Sequence, residues 1–118
     1  MSKTRRMELL RQLRGAVNST LRRVCLQDCG DTALQRVSEV VVEDIDTIRI
    51  VVPVRSLNGV TDNVWLRFKR SGPEYGEISF PCTTVPAQTA LAAGRAYSDI
   101  SRWIDKYFTE EDYAALYV

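Results

Sequence analysis

Residues Ile45–Val54 read IDTIRIVVPV, the densest run of β-branched residues in the chain. Ile48, Ile50, Val52 and Val54 alternate with Thr47, Arg49, Val51 and Pro53, a period of two that places the first four on one face of a strand. That face is the expected floor of the core. The rest of the chain is read by how each segment can pair with this strand or cover it.

Upstream, Glu39–Glu43 (EVVVE) has strand composition, and the acids Glu43, Asp44 and Asp46 around Ile45 suit a turn, so a first hairpin is expected there. Residues Thr32–Ser38 fit either a helical turn or a lead into that strand. Downstream, Asn58-Gly59 is the strongest short turn signal. Asn63–Arg70 alternates again, with Val64, Leu66 and Phe68 inward and Trp65, Arg67 and Lys69 outward. After a turn at Ser71–Pro73, Glu74–Cys82 returns with Ile78, Phe80 and Cys82 inward and Tyr75, Glu77 and Ser79 outward, which sets Arg67 opposite Glu77.

Helices flank these strands. From Lys3 to Leu26, Met7, Leu10, Leu13, Val17, Leu21 and Val24 recur at spacings of three and four, one face of an amphipathic helix stopped at Asp28–Gly30. A second long helix starts near Pro86, with the stripe Ala90, Ala93, Tyr97, Ile100, Ile104 and Tyr107 and with Trp103 beside it. Thr109-Glu110-Glu111-Asp112 then reads as a new helix cap, a hydroxyl for the free amides and acids for the positive helix end, opening a short helix over Glu110–Tyr117. The expected fold is a single α+β domain over residues 1–118. It is a two-layer sandwich with a long N-terminal helix, an antiparallel meander of three to four strands, and one long and one short C-terminal helix.

Composition narrows the chemistry. The 118 residues include no histidine, which removes Ser-His-Asp and Cys-His nucleophile activation and the commonest metal ligand. Cys25, Cys29 and Cys82 form an odd count without a disulfide framework, as expected of thiols in a reducing cytoplasm. Cys25 and Cys29 lie four apart on the first helix, but zinc needs two further ligands, so core packing is the expected role. Asp44 with Asp46 reads as a strand terminator and Glu110–Asp112 as a helix cap. The glycines are scattered singly, so no phosphate-cradling loop is present. No catalytic residues, cofactor, metal or small-molecule substrate are therefore expected. No apolar run approaches the roughly 20 residues that cross a bilayer, and no membrane association is expected.

Charge is unevenly spread. Residues 1–26 hold seven bases and one acid, net +6, and the remainder holds nine bases and fourteen acids, net −5. Such a helix meets either phosphate or the acidic remainder of its own chain or of a second copy. Its arginines also imitate an organelle transit peptide, but the apolar stripe reads as a permanent part of the core. Two functions follow as expectations. The first is an intracellular, non-enzymatic binding protein of adaptor, chaperone, immunity or inhibitor type, docking a protein partner or self-associating as a homodimer through Trp65, Arg67, Tyr75, Trp103, Tyr113 and Tyr117, since aromatics left at a surface anchor interfaces. The second is RNA or DNA binding through Arg5, Arg11, Arg14, Arg22, Arg23 and Lys69, with Trp65 and Arg67 beside them as a stacking and charge platform.

The order helix, three strands, helix resembles that of the double-stranded-RNA-binding domain. That family opens its second helix with a lysine cluster, whereas this chain has Pro86-Ala87-Gln88-Thr89-Ala90-Leu91-Ala92-Ala93 and no base until Arg95. The resemblance covers element order alone, and none of the family's phosphate-binding residues carries over.

Overall fold

The computed structural model describes residues 3–28, 34–55, 59, 61–70, 77–80 and 87–117. Its elements run α1 (Lys3–Asp28), β1 (Glu39–Asp44), β2 (Thr47–Arg55), β3 (Thr61–Lys69), β4 (Glu77–Ser79), α2 (Ala87–Tyr107) and α3 (Glu110–Tyr117). The strands form one antiparallel meander in the order β1-β2-β3-β4. This is the expected α+β architecture with four strands. Gly30, Asn58, Ser71–Pro73, Tyr75, Cys29, Cys82 and the segment before α2 lie outside the described residues. Gly59 is described, and its φ of +82° is a left-handed conformation that a residue without Cβ adopts freely.

Long strand β2 is central because it pairs on both sides. Ile50 sits opposite Val40 of β1 and Leu66 of β3. Its alternation closes one face completely: Ile48, Ile50, Val52 and Val54 are all 0% exposed, with Val64, Leu66 and Phe68 of β3 beside them. Burying each such side chain contributes about 1.5–3 kcal/mol. The expectation left open at residues 32–38 resolves as extended chain over Leu34–Ser38, because the Gln35 amide donates to the Pro53 carbonyl at 2.9 Å and the Ser38 amide to Val51 at 2.9 Å.

Both long helices cover this face. Leu9, Leu13, Val17, Leu21, Val24 and Cys25 of α1 join Ala92, Ala93, Ala96, Ile100 and Ile104 of α2 in one core cluster with the sheet. Small alanines let α2 approach α1 closely, and Tyr97 fixes its register on the sheet: its ring stacks on Phe68 at 4.5 Å, and its hydroxyl donates to the Arg67 carbonyl at 2.7 Å. The stripe of α1 departs from expectation at its start. Met7 is 69% exposed and Leu9 takes the inward place, because α3 packs against that end of α1. Tyr107 likewise turns outward at the end of α2, and Phe108 folds in. Phe80, expected inward, is 39% exposed, since β4 spans three residues and stops before it.

The short C-terminal helix is held by the cap read from the sequence. The Asp112 amide donates to Thr109 Oγ1 at 3.2 Å and the Thr109 amide donates to Asp112 Oδ2 at 3.0 Å, a reciprocal capping box. Asp112 Oδ1 also accepts from Arg5 Nη2 at 2.8 Å, which ties the start of α1 to the start of α3.

Candidate functional site: the outer face of the sheet

With α1 and α2 on one side, the opposite face of the sheet carries Arg49, Val51 and Pro53 of β2, Trp65, Arg67 and Lys69 of β3, and Glu43 of β1. The pleat dictates this set, because every second residue of a strand whose other face is core must point away from it. Trp65 is the apolar centre of the face and is 40% exposed. Val51 lies directly opposite it in the ladder, between Arg49 and Pro53 on the same strand face. The exposure cost expected for Val51 does not arise, because it is only 7% exposed.

Arg49 and Arg67 are also direct cross-strand partners, a like-charge pairing that is unfavourable unless an acid lies between them. Glu43 is that acid. Its Oε2 accepts from Arg49 Nη1 at 3.1 Å and its Oε1 from Arg67 Nε at 2.7 Å. Arg67 reaches on to Glu77 of β4, the pairing expected from the sequence. The Arg49 guanidinium lies over the Trp65 ring, 4.1 Å from its centre, and its buried Nε has no hydrogen-bond acceptor. The π face of Trp65 supplies what that cation meets in place of water. Two arginines and two glutamates thus form a neutral network in which Arg49 lies over one face of the tryptophan ring, and the residue remains 40% exposed.

The other partner-binding candidates are dispersed. Tyr113 is 2% exposed and meets Phe108 edge to face, so it belongs to the core and has no surface to offer a partner. Trp103 packs against the core beside Tyr107 and Phe108. Tyr117 is 53% exposed on α3, and Tyr75 lies outside the described residues. Of the described members of the set proposed at the sequence level, the outer face brings together only Trp65 and Arg67, and it adds Arg49 and Glu43.

The basic helix spends part of its charge inside the molecule. Arg5 pairs with Asp112, Arg11 with Glu8 at 2.6 Å and Arg23 with Asp99 at 2.8 Å. The Arg23 hydrogen bond, reinforced by Arg102, holds the Asp99 carboxyl below its ordinary pKa even though burial opposes it. Arg14 and Arg22 have no carboxylate partner among the described residues, and Lys69 belongs to the outer face of the sheet, across the sandwich from α1. The residues proposed for nucleic acid are therefore divided between two sides of the fold.

Other clusters are accounted for locally. Asp46 donates its amide to Asp44 Oδ1 at 2.7 Å and accepts from Arg70 Nη2 at 3.0 Å, which closes the β1–β2 turn. Cys25 is 2% exposed and its thiol faces the Leu34 carbonyl at 3.8 Å. Among the described residues, no group of three or more His, Cys, Asp or Glu side chains is placed to hold a metal ion, and no helix is long and apolar enough to cross a membrane. Compared with protein-family models, with curated proteins and with solved structures, the chain matches none of them.

Proposed function

We propose that this protein is a small, non-enzymatic, cytoplasmic binding protein that docks a protein partner on the outer face of its sheet. One observation carries the reading: Trp65 stands 40% exposed on a four-stranded sheet, with no element among the described residues laid over it. An antiparallel sheet can leave one face to water, but polar side chains then normally occupy that face. The surrounding charges favour protein over polyanion. Arg49 and Arg67 are already neutralised by Glu43 and Glu77, so phosphate would have to displace acids held at hydrogen-bonding distance. An apolar side chain laid on the open part of the Trp65 ring displaces only water, and the satisfied ion pairs form the polar rim typical of an interface hot spot. The buried Cys25 thiol, set against the Leu34 carbonyl, fits a reducing compartment.

The test uses Trp65→Ala. Capture from the native host with wild-type and variant baits identifies the partner, and titration calorimetry with that purified partner measures it. The variant is expected to bind about 30-fold more weakly, the loss of roughly 2 kcal/mol that a tryptophan anchor carries, with a melting temperature lowered only by the few degrees that loss of the Arg49–Trp65 contact accounts for. A second copy of the chain on this face would appear instead as a dimer in light scattering that Trp65→Ala converts to monomer. Equal affinity of wild type and variant, or a loss of thermal stability that accounts for the binding loss, overturns the proposal.

A further inference from the structure

Between the second half of α1 and the extended segment 34–36 runs a cleft of about 700 Å³, on the helix layer and away from the outer face of the sheet. Leu21, Cys25 and Leu34 close its floor, each less than 5% exposed. Its walls are pinned together. Asn18 Oδ1 accepts from the Val37 amide at 2.7 Å, and the Cys25 thiol reaches the Leu34 carbonyl at 3.8 Å. Arg22 on the helix wall and Arg36 on the facing segment both line it.

These two arginines differ from most others in the chain. Arg5, Arg11, Arg23, Arg49, Arg67, Arg70 and Arg102 each sit on a carboxylate. Arg22 and Arg36 are exposed and have none among the described residues, and no described acid lines the cleft. Asn18 uses its oxygen on Val37, which leaves its NH₂ as a donor, so the charged and amide groups around the cleft offer hydrogens to an anion.

A second, separate observation is Gly15, which also lines the cleft. It lies inside α1, where glycine costs up to about 1 kcal/mol relative to alanine. Its φ is ordinary, and a Cβ added there would meet nothing within 4 Å. Neither backbone conformation nor packing within the described residues calls for glycine at this position, and its missing side chain leaves the helix wall of the cleft open to an occupant.

We infer that this cleft is a binding site for an acidic peptide segment, with one carboxylate reaching Arg22, another reaching Arg36, and the peptide backbone passing over Gly15. Guanidinium groups recognise carboxylates with paired hydrogen bonds. A nucleic acid fits less well, since among its described lining residues the cleft has two cations and no aromatic side chain on which a base would stack. The inference does not rest on the outer face of the sheet, and the two surfaces are separable by variant.

The experiment selects a displayed library of random 12-residue peptides on the intact protein and measures enriched peptides by fluorescence polarisation. Enriched sequences are expected to contain acids flanking a short central stretch. The double variant R22A/R36A is expected to bind them roughly 10- to 100-fold more weakly, the loss of two charge-assisted contacts. Gly15→Leu is expected to abolish binding while raising the melting temperature, because it fills the wall and improves the helix. Trp65→Ala should leave binding unchanged. Failure to enrich any peptide, enrichment of peptides without acids, or equal binding by R22A/R36A overturns the assignment. So does a dependence on Trp65, which would place the peptides on the sheet, or tighter binding of a single-stranded oligonucleotide through the same arginines.

Discussion

Removing the Asp112 carboxylate tests whether α3 is held by its cap or only by its apolar face. In the folded chain Asp112 is 8% exposed and makes two kinds of contact. One is the capping hydrogen bond from the Thr109 amide at 3.0 Å, and the other is the ion pair with Arg5 at 2.8 Å. Loss of the capping bond costs about 1 kcal/mol. The Arg5 side chain is 46% exposed, so its pair contributes only about 0.5 kcal/mol after solvent screening. Asp112→Ala should therefore destabilise by about 1.5 kcal/mol, which for a domain of this size lowers the melting temperature by roughly 5–8 °C. Asp112→Asn keeps an oxygen for the Thr109 amide and loses the charge, so it should cost about 0.5 kcal/mol. The pH dependence has a fixed sign. Burial alone would raise the Asp112 pKa, but the Thr109 amide and Arg5 outweigh it and hold the folded value below that of a free aspartate. The folded state then binds the proton less readily than the unfolded chain. The contribution is complete above about pH 5, declines as pH falls past the unfolded value near ~3.9, and is gone below the depressed folded value. Urea denaturation of wild type, both variants and Arg5→Ala at pH 7 and pH 3 measures each part. Equal losses for the alanine and asparagine variants would refute the cap as the main contributor, and an alanine variant within about 0.3 kcal/mol of wild type would refute the role of the carboxylate altogether.

Three further outcomes follow from the structure. Glu43→Gln removes the acid between Arg49 and Arg67 and should cost about 1–2 kcal/mol in urea denaturation; an Arg67→Met background should abolish most of that cost by removing the like-charge pair. Gly59→Ala forces a Cβ into φ +82° and should destabilise by about 1 kcal/mol, although the surrounding space is open, with D-alanine at the same position in a semisynthetic chain restoring stability. Burial pushes the Tyr97 and Tyr113 hydroxyls up to about 12, with Asp105 adding to both. In an ultraviolet titration two of the five tyrosines should ionise late, and because these folded values lie above the unfolded one, stability should hold up to about pH 10 and fall between there and pH 12.

Periodicity made most of the fold legible. The alternation of β2 and β3 required one apolar face, and the capping residues Thr109 and Asp112 marked the start of α3 independently of any packing. The sequence was least informative where two candidate faces compete at an element's end. Met7, Leu9 and Leu10 all lie within one turn of α1, and any of them can extend the stripe that continues through Leu13. Leu9 is selected because α3 lies there, held by Arg5 and Asp112, and that contact joins residues 107 positions apart. No local pattern encodes it. The same reasoning applies to Tyr113, which reads as a surface aromatic until Phe108 is seen to fold in and meet it.

For the surfaces, net charge proved a poor guide because it counts cations without showing which acids they meet. The +6 of the first 26 residues sums seven bases and one acid. Of these, Arg5 and Arg23 cross to Asp112 and Asp99, and Arg11 turns to Glu8, so none of the three is a free cation. Conversely, Arg36 lies outside the basic stretch, in a segment whose conformation the sequence left open, and it becomes notable only because the Asn18–Val37 hydrogen bond lays that segment along α1 opposite Arg22. A folded chain near neutrality satisfies its arginines with its own acids wherever geometry permits, since a carboxylate at hydrogen-bonding distance is a better partner than water. The informative arginines are those the fold leaves unmatched, and two of these line a cleft whose helix wall carries an otherwise unexplained glycine. Trp65 stands out on the sheet for the corresponding reason: the chain buries every other large apolar side chain on β2 and β3, and leaves this ring open to whatever comes to cover it.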